Sequence, residues 1–204
     1  MLIYSKVLDG LKHIEPGTPF TFKCFYHLGS RSSIQRVITQ LIREEAIVRL
    51  VKGYYVKPKT LTSNSSIKVT ASAEQLAIAW AKENDYKLTT QGMESAYRLG
   101  FQHQAPMRTI YWSNGPSRQF RVGNNMVEIR HVADSKLQWC GLPEGELFKA
   151  MLVRPPKGLN KQNLLQAFKR LDLLENNLSV IIKKLYDSSI SRAWKKKLNY
   201  LFLN

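Results

Sequence analysis

The sequence predicts an α+β protein with a small antiparallel sheet in its middle and helices at its C-terminal end. Apolar residues recur at helical spacing in residues 5–42, and β-rich runs lie at 47–57 and between 107 and 132. After residue 158 the chain carries only helical apolar stripes. The 204 residues are 44% hydrophobic and 23% charged, which is the composition of a globular protein and argues against disorder.

Three helices are predicted before residue 45. The first runs from Ser5 to Ile14 and ends before a Pro-Gly pair, and the second lies within 19–28 and ends at Gly29. The third follows Ser30, whose hydroxyl is suited to cap a free backbone N–H. Its buried face is predicted to consist of the apolar residues at helical spacing, which are Ile34, Val37, Ile38, Leu41 and Ile42.

The opposite face of the third helix is polar and net positive. It consists of Ser32, Arg36, Thr39, Gln40 and Arg43. Side chains of these types donate hydrogen bonds to phosphates and base edges. A solvated outer face is the alternative interpretation, but such a face usually mixes Glu with Lys. Here the acids Glu44 and Glu45 come only at the end of the helix.

Two β-rich runs, 47–51 and 54–57, follow this helix and are joined by Lys52-Gly53. A Gly in a two-residue connection predicts a tight hairpin, and Pro58 ends its second strand. Three helices and a hairpin are the order of a winged helix-turn-helix, which places its third helix in the DNA major groove. The predicted DNA-binding residues are Ser30, Arg31, Ser32, Ser33, Arg36, Thr39, Gln40, Arg43, Arg49, Lys52, Tyr54 and Lys57.

The net charge of +16 also predicts an anionic partner, because a chain this basic repels itself. Residues 1–60 carry ten Lys and Arg against four Asp and Glu, and residues 134–204 carry thirteen against six. A basic surface kept for solubility is the alternative. A second basic surface is predicted near the C-terminal end, from Arg118, Arg192, Lys195, Lys196 and Lys197. A solvated end of a basic helix explains the last four residues as well.

The polar run 61–66 predicts a linker between a winged helix-turn-helix domain at 1–60 and an α+β domain at 67–204. In the second domain we expect helices at 71–84 and 90–99. We expect strands at 107–113, 118–122 and 126–132. Three apolar stripes after residue 158 predict three C-terminal helices, the last of which carries Arg192 and the lysines 195–197.

The sequence carries no motif of an enzyme or a metal site. Cys24 and Cys140 lie too far apart for a local metal spacing or a disulfide framework, and the four histidines show no ligand spacing. We therefore expect no enzyme, no cofactor and no metal. Glu128 on a predicted strand supports a weaker alternative, a nuclease-like enzyme. Reduced thiols and the absence of an apolar run near ~20 residues predict a cytoplasmic protein that does not bind a membrane.

A resemblance to a known family lies in the segments 28–44 and 47–58, which look like the N-terminal winged helix of AbiEi-type antitoxins. The block 92–101 also resembles this family, and 113–118 with the strand ending at 128–131 is similar to its C-terminal domain. The resemblance covers roughly residues 1–155. One departure is that Glu45-Ala46 stand where the family commonly has a Gly, which predicts a helix that ends differently or runs longer.

The resemblance implies a bacterial transcriptional repressor of an abortive-infection (phage-defence) toxin–antitoxin pair. Such a protein binds double-stranded DNA at inverted repeats in its own promoter and counteracts a nucleotidyltransferase-like toxin. We expect a homodimer on the DNA. The alternative is a protein–protein interaction module whose basic faces bind an acidic partner, such as a toxin or a phage protein, without specific DNA recognition.

Overall fold

The computed structural model describes residues 2–61, 64–173 and 178–203, and for residues 60, 61 and 64–69 it describes the backbone alone. It confirms the predicted α+β class. Contacts group the chain into two units, Met1–Asn84 with Gln119–Val127 and Asp85–Arg118 with Glu128–Asn204. None of the helices within the described ranges has both the length and the hydropathy to cross a bilayer.

The first unit begins with α1 (Leu2–Lys12), β1 (Pro19–Phe20), a 3-10 helix (Phe22–Leu28), α2 (Arg31–Arg43), β2 (Val48–Val51) and β3 (Tyr54–Val56). The strands form an antiparallel sheet in the order β1-β3-β2. The three helices and the hairpin of the sequence prediction are confirmed, and the second helix is a 3-10 helix. Strand β1 was not predicted, because two residues are too short for an alternating pattern.

One apolar core holds these elements together. The stripe predicted for α2 is buried at Ile34, Val37, Ile38 and Leu41, and Ile42 packs half-buried against it. Helix α1 contributes Val7 and Leu11. Phe20, Phe25, Ile47 and Tyr55 complete the buried cluster. Because the apolar side of α2 is used for this core, its polar side is left on the surface.

Both ends of α2 are capped. The Ser30 hydroxyl accepts a hydrogen bond from the Ser33 N–H, which confirms the predicted N-cap. At the other end the Ala46 N–H donates to the Leu41 carbonyl and the Glu45 N–H to the Ile42 carbonyl, which is the Schellman arrangement. The expectation of a longer or different helix end was wrong, since Glu45 itself adopts the left-handed conformation with φ of 57°.

The chain continues through β4 (Lys59–Leu61), β5 (Asn64–Val69) and α3 (Ala73–Glu83). Strands β4 and β5 pair antiparallel, so the polar run predicted as a linker at 61–66 takes part in a hairpin; residues 62–63 lie outside the described residues. A strand ladder is made of backbone hydrogen bonds and does not depend on apolar side chains, so a run that is polar in sequence can still form a hairpin. The grouping of contacts also differs from a division at residue 60, because Trp80 of α3 and Tyr54 both pack on the Phe120 ring.

A second sheet has four strands in the order β6-β7-β9-β8. They are β6 (Leu88–Thr90), β7 (Thr109–Ser113), β8 (Arg118–Val122) and β9 (Asn125–His131). The three strands predicted between 107 and 132 are confirmed. The helix predicted at 90–99 is α4 (Gly92–Arg98), and β6 precedes it and pairs antiparallel with β7.

The second unit ends in helices, as predicted. They are α5 (Pro143–Val153), α6 (Lys161–Arg170), α7 (Leu178–Asp187) and α8 (Arg192–Leu198), and a π-helical turn (Asn199–Leu203) continues α8. Their core includes Phe101, Phe148, Phe168, Ile182 and Trp194. Helix α5 was not predicted, because residues 147–151 are all buried and show no amphipathic period.

Candidate nucleic-acid interface

The polar face of α2 is a continuous exposed surface on the first unit. An open depression of about 570 Å³ runs along the outside of the helix. It is lined by six side chains of α2, which are Ser32, Gln35, Arg36, Thr39, Gln40 and Arg43. All six are exposed. The structure therefore brings the five residues predicted for this face together and adds Gln35, which the sequence analysis did not include. Gln35 lies four residues before Thr39, and this spacing alone predicts that the two share a helix face.

The cations of this face have no acidic partner. In the part of the chain that the structure describes, Arg36 and Arg43 form no ion pair and no side-chain hydrogen bond, and the same holds for Arg31 at the start of α2. Each guanidinium thus keeps its five N–H donors directed to solvent. A planar fork of donors matches a phosphate or the O6 and N7 atoms of guanine.

The amide of Gln40 is oriented by a chain of hydrogen bonds that begins on α1. Gln40 Nε2 donates to Glu44 Oε1 at 2.8 Å, and the Tyr4 hydroxyl donates to Glu44 Oε2. Both hydrogen bonds hold the pKa of the Glu44 carboxyl below its usual range, and the bond from Tyr4 has the larger effect. A carboxylate only accepts, so Gln40 must place its Nε2 toward Glu44 and keep its Oε1 free as an outward acceptor. Tyr4 and Glu44 were not predicted, because their contact depends on the packing of α1 on α2.

The hydroxyl groups at the start of α2 are partly used within the helix. Ser30 caps the helix, and its Oγ lies 3.1 Å from Ser32 Oγ and 2.9 Å from Ser33 Oγ. The Thr39 hydroxyl donates to the Gln35 carbonyl at 2.9 Å. Its oxygen remains available only as an acceptor. Ser32 and Thr39 are exposed, whereas Ser33 is half-buried.

The hairpin of β2 and β3 presents two cations. Lys52 lies at the exposed tip, where Gly53 has φ of 89° and open space beyond its Cα, and Arg49 is exposed on β2. Neither forms an ion pair or side-chain hydrogen bond within the described residues. A tight two-residue turn requires the left-handed backbone that Gly53 adopts.

Two of the predicted DNA-binding residues do not lie on an open surface. Tyr54 is 9% exposed and its ring packs edge-on against Phe120. The reason is that β3 is the central strand of its sheet and is covered on both faces. The Lys57 ammonium lies 3.4 Å from the carbonyl oxygens of Leu11 and Ile14 and donates to both. It lies beside the C-terminal end of α1, where the negative end of the helix dipole attracts a cation.

The residues of the predicted second basic surface lie in two separate elements. Arg192 and Lys196 are exposed on α8, while Lys195 and Lys197 are half-buried. The Lys195 ammonium lies 5.7 Å from the centre of the Tyr186 ring. Arg118 is exposed at the start of β8 and is not a free cation.

The groups considered for catalysis are held by other side chains. The Arg130 guanidinium donates to both oxygens of Glu128, at 2.7 and 3.3 Å, and this holds the pKa of that carboxyl below its usual range. Within the described ranges, no three His, Cys, Asp or Glu residues are placed to hold a metal ion. Burial, with a smaller effect of the Glu83 carboxylate, raises the pKa of the Cys24 thiol to about 11, and neither Cys24 nor Cys140 is in a disulfide.

Among the described residues of the second unit, Lys149 on α5 is a buried cation and is 2% exposed. Its ammonium donates to Glu146 Oε1 at 2.7 Å, to the Thr90 carbonyl at 3.1 Å and to the Thr89 hydroxyl. The Ser95 hydroxyl donates to the other oxygen of Glu146 at 2.7 Å. Burial lowers the pKa of Lys149, and the bond to Glu146 opposes this. Because its donors are all directed to protein groups, this cluster links β6, α4 and α5 rather than forming an open site.

Comparisons with known proteins place the chain in a family without assigning an activity. The model of a family described as "Family of unknown function (DUF6088)" matches residues 6–153. No curated protein matches the sequence. Among solved structures, that of the RV2827C protein from Mycobacterium tuberculosis is similar, with a TM-score of 0.47 and 17% identity over 98% of this chain and 75% of that one. Since the family model covers most of the chain, the protein belongs to the DUF6088 family.

Proposed function

We propose that this DUF6088 protein binds double-stranded DNA through a winged helix-turn-helix formed by its N-terminal elements. In this proposal α2 enters the major groove and the β2–β3 hairpin lies against the phosphate backbone. The observation that carries the proposal is the outward face of α2, where unpaired guanidinium groups alternate with exposed hydroxyl and amide groups. That combination matches the donors and acceptors of base edges and phosphates.

The order of the elements supports the proposal. Helix α1, strand β1, the 3-10 helix, α2 and the hairpin follow one another in the order of a winged helix-turn-helix. The third strand of this sheet lies between the other two, and α2 packs on both α1 and the 3-10 helix. In helix-turn-helix proteins the second helix of the motif lies in the major groove while the first crosses the backbone.

The electrostatic arrangement favours DNA over an acidic protein. This face exposes Gln35 and Gln40 between the arginines, so it offers acceptors as well as donors. Base edges present both donors and acceptors, whereas a surface carboxylate only accepts. A Gln amide pairs with adenine by accepting from N6 with its oxygen and donating to N7 with its nitrogen. The bond to Glu44 uses one N–H of Gln40 and leaves the oxygen and the second N–H for that pairing.

The test is a binding titration with R36A and R43A. We expect each variant to weaken binding to a duplex from the region upstream of its own gene by about tenfold, because a good bidentate pair contributes about 1–3 kcal/mol. The matched control is K136A, which removes one exposed cation from the second unit. Fluorescence anisotropy with a labelled duplex gives the dissociation constants. Equal constants for R36A, R43A and K136A would contradict the proposal.

The resemblance to AbiEi-type antitoxins extends the proposal to a biological role. We infer that the protein represses its own operon at inverted repeats and counteracts a nucleotidyltransferase-like toxin. In cells that carry a promoter reporter and the neighbouring gene, an R36A R43A double variant should lose repression and keep toxin neutralisation. The opposite outcome supports the interaction module, in which the basic faces bind the toxin rather than DNA.

A further inference from the structure

The C-terminal helices carry a concentration of positive charge that the proposed duplex interface does not use. Residues 178–203 contain six Lys and Arg and one acid, Asp187. Two of the cations have partners, since Lys184 pairs with Glu144 at 2.6 Å and Lys195 lies over the Tyr186 ring. Within the described ranges the other four form no ion pair and no side-chain hydrogen bond. They are Lys183, Arg192, Lys196 and Lys197.

This charge sits on a rigidly held helix. The Ser191 hydroxyl caps α8 by accepting from the Trp194 N–H, and the Trp194 ring nitrogen donates to the Arg154 carbonyl at 2.7 Å. Trp194 and Leu198 are fully buried, and the Trp194 ring packs against Phe101. The exposed side of α8 is therefore presented by a fixed element and not by a fraying end.

Helix electrostatics explain only part of the charge. Lysines in the last turn of α8 interact favourably with the negative end of the helix dipole. Arg192, however, is the first residue of the helix, where the dipole disfavours a cation, and it lies one turn before Lys196. A bound anion would relieve the repulsion between Arg192 and Lys196.

An exposed aromatic ring continues the same side of the helix. Arg192, Lys196 and Tyr200 follow at intervals of four residues, and we call them the Arg192–Lys196–Tyr200 ridge. Tyr200 is 77% exposed, more than any other aromatic side chain for which the structure gives an exposure. Most of the Tyr200 ring therefore stays in contact with water, where its apolar face is open to a stacking partner.

We propose that the Arg192–Lys196–Tyr200 ridge binds single-stranded nucleic acid, with the cations on the phosphates and Tyr200 stacked on a base. Cationic grooves with exposed aromatic rings are the general means of binding single strands, because every base offers a π-face. In duplex DNA the bases are already stacked, so a duplex uses only the charges. This proposal concerns the second unit and is independent of the duplex-binding proposal for α2.

The test uses the full chain carrying R36A and R43A, so that the α2 face does not contribute. Labelled oligo-dT and oligo-U of about 20 nucleotides are titrated by fluorescence anisotropy. We expect Y200A to weaken binding by about five- to tenfold and Y200F to retain it, because the phenyl ring still stacks. Y97A is the matched control, since Tyr97 is an exposed tyrosine of α4.

The cations give a second readout. R192A and K196A should each make the slope of log K against log salt shallower by about 0.7, the value for one contact with a single strand. A comparison of oligo-dT with oligo-U shows whether DNA or RNA is preferred. Circular dichroism checks that each variant keeps its helices; all three substituted side chains are exposed.

Three results would overturn the proposal. The first is unchanged binding in Y200A, or equal loss in Y200A and Y97A. The second is competition by an unlabelled duplex as strong as by the unlabelled single strand, which identifies a surface for phosphates alone. The third is absence of binding to either oligonucleotide; cosedimentation of the protein on phosphatidylserine vesicles would then point to an anionic lipid surface instead.

Discussion

Glu45 adopts a left-handed backbone conformation that is unfavourable for a residue with a Cβ. It stands at the position after the α2 cap where the Schellman arrangement requires a left-handed backbone, and its φ is 57°. A Cβ in that conformation costs roughly 1–2 kcal/mol, which glycine avoids. The cap forms nevertheless, because both of its hydrogen bonds are made and α2 is held by its buried stripe.

This gives a stability prediction. We expect E45G to be more stable than E45A by about 1 kcal/mol, because both variants lack the carboxylate and only glycine relieves the left-handed backbone. Urea unfolding followed by circular dichroism measures the difference. The prediction fails where E45A equals or exceeds E45G in its free energy of unfolding.

At the scale of elements, α5 and α7 are joined by a cross-link as well as by the core. Glu144 in the first turn of α5 accepts from Lys184 of α7 at 2.6 Å, and the Lys184 ammonium also lies 4.8 Å from the centre of the Trp139 ring. The hydrogen bond from Lys184 is the main reason that the pKa of Glu144 lies below its ordinary value of 4.5.

The cross-link predicts a pH dependence. A carboxyl whose pKa is lowered by folding stabilises the folded state above its unfolded-state pKa, and that contribution is lost as the pH falls through the lowered folded value. We expect E144Q to be less stable than the natural protein at pH 7, by less than about 1 kcal/mol because Lys184 is partly in water. The difference should vanish in acid, well below pH 4.5.

The control is E74Q on α3, where an exposed carboxylate lacks an ion pair among the described residues. Glu74, like Glu144, lies in the first turn of its helix, so E74Q loses the same favourable interaction with the helix dipole but no ion pair. Its deficit in the free energy of unfolding at pH 7 should therefore be smaller than that of E144Q. A deficit of E144Q that persists undiminished in strong acid would show that packing, and not the ion pair, is responsible.

At the scale of the whole molecule, the net charge of +16 makes salt the decisive variable for any anionic partner. Five cations of the proposed duplex interface are exposed and form no ion pair in the part of the chain that the structure describes. They are Arg31, Arg36, Arg43, Arg49 and Lys52. Each phosphate that they neutralise releases condensed counterions from the duplex.

Duplex binding should therefore weaken steeply with salt. With Arg31, Arg49 and Lys52 on phosphates and Arg36 and Arg43 on base edges, log K should fall against log salt with a slope of about −3, and R49A K52A should make that slope shallower by about two units. Anisotropy titrations at several salt concentrations give both slopes. A slope that R49A K52A leaves unchanged would place the hairpin away from the backbone.

The sequence alone predicted much of the α2 face. A stripe of five aliphatic residues at helical spacing determines which side of the helix is buried, so the polar residues of the opposite face had to lie outside. The hairpin was equally predictable, since Lys52-Gly53 allows few other connections. These features depend on neighbours along the chain.

Tyr54, Lys57 and Gln40 show what the sequence alone did not determine. Tyr54 is covered by Phe120, the Lys57 ammonium lies on the carbonyls that end α1, and Gln40 is oriented through Glu44 by Tyr4. Phe120, the carbonyls at the end of α1 and Tyr4 all lie far along the chain from the residues that they affect. Local periodicity states which face of a helix is polar, whereas only the tertiary structure decides which polar groups remain free, because burial and hydrogen bonding are set by residues far apart in the chain.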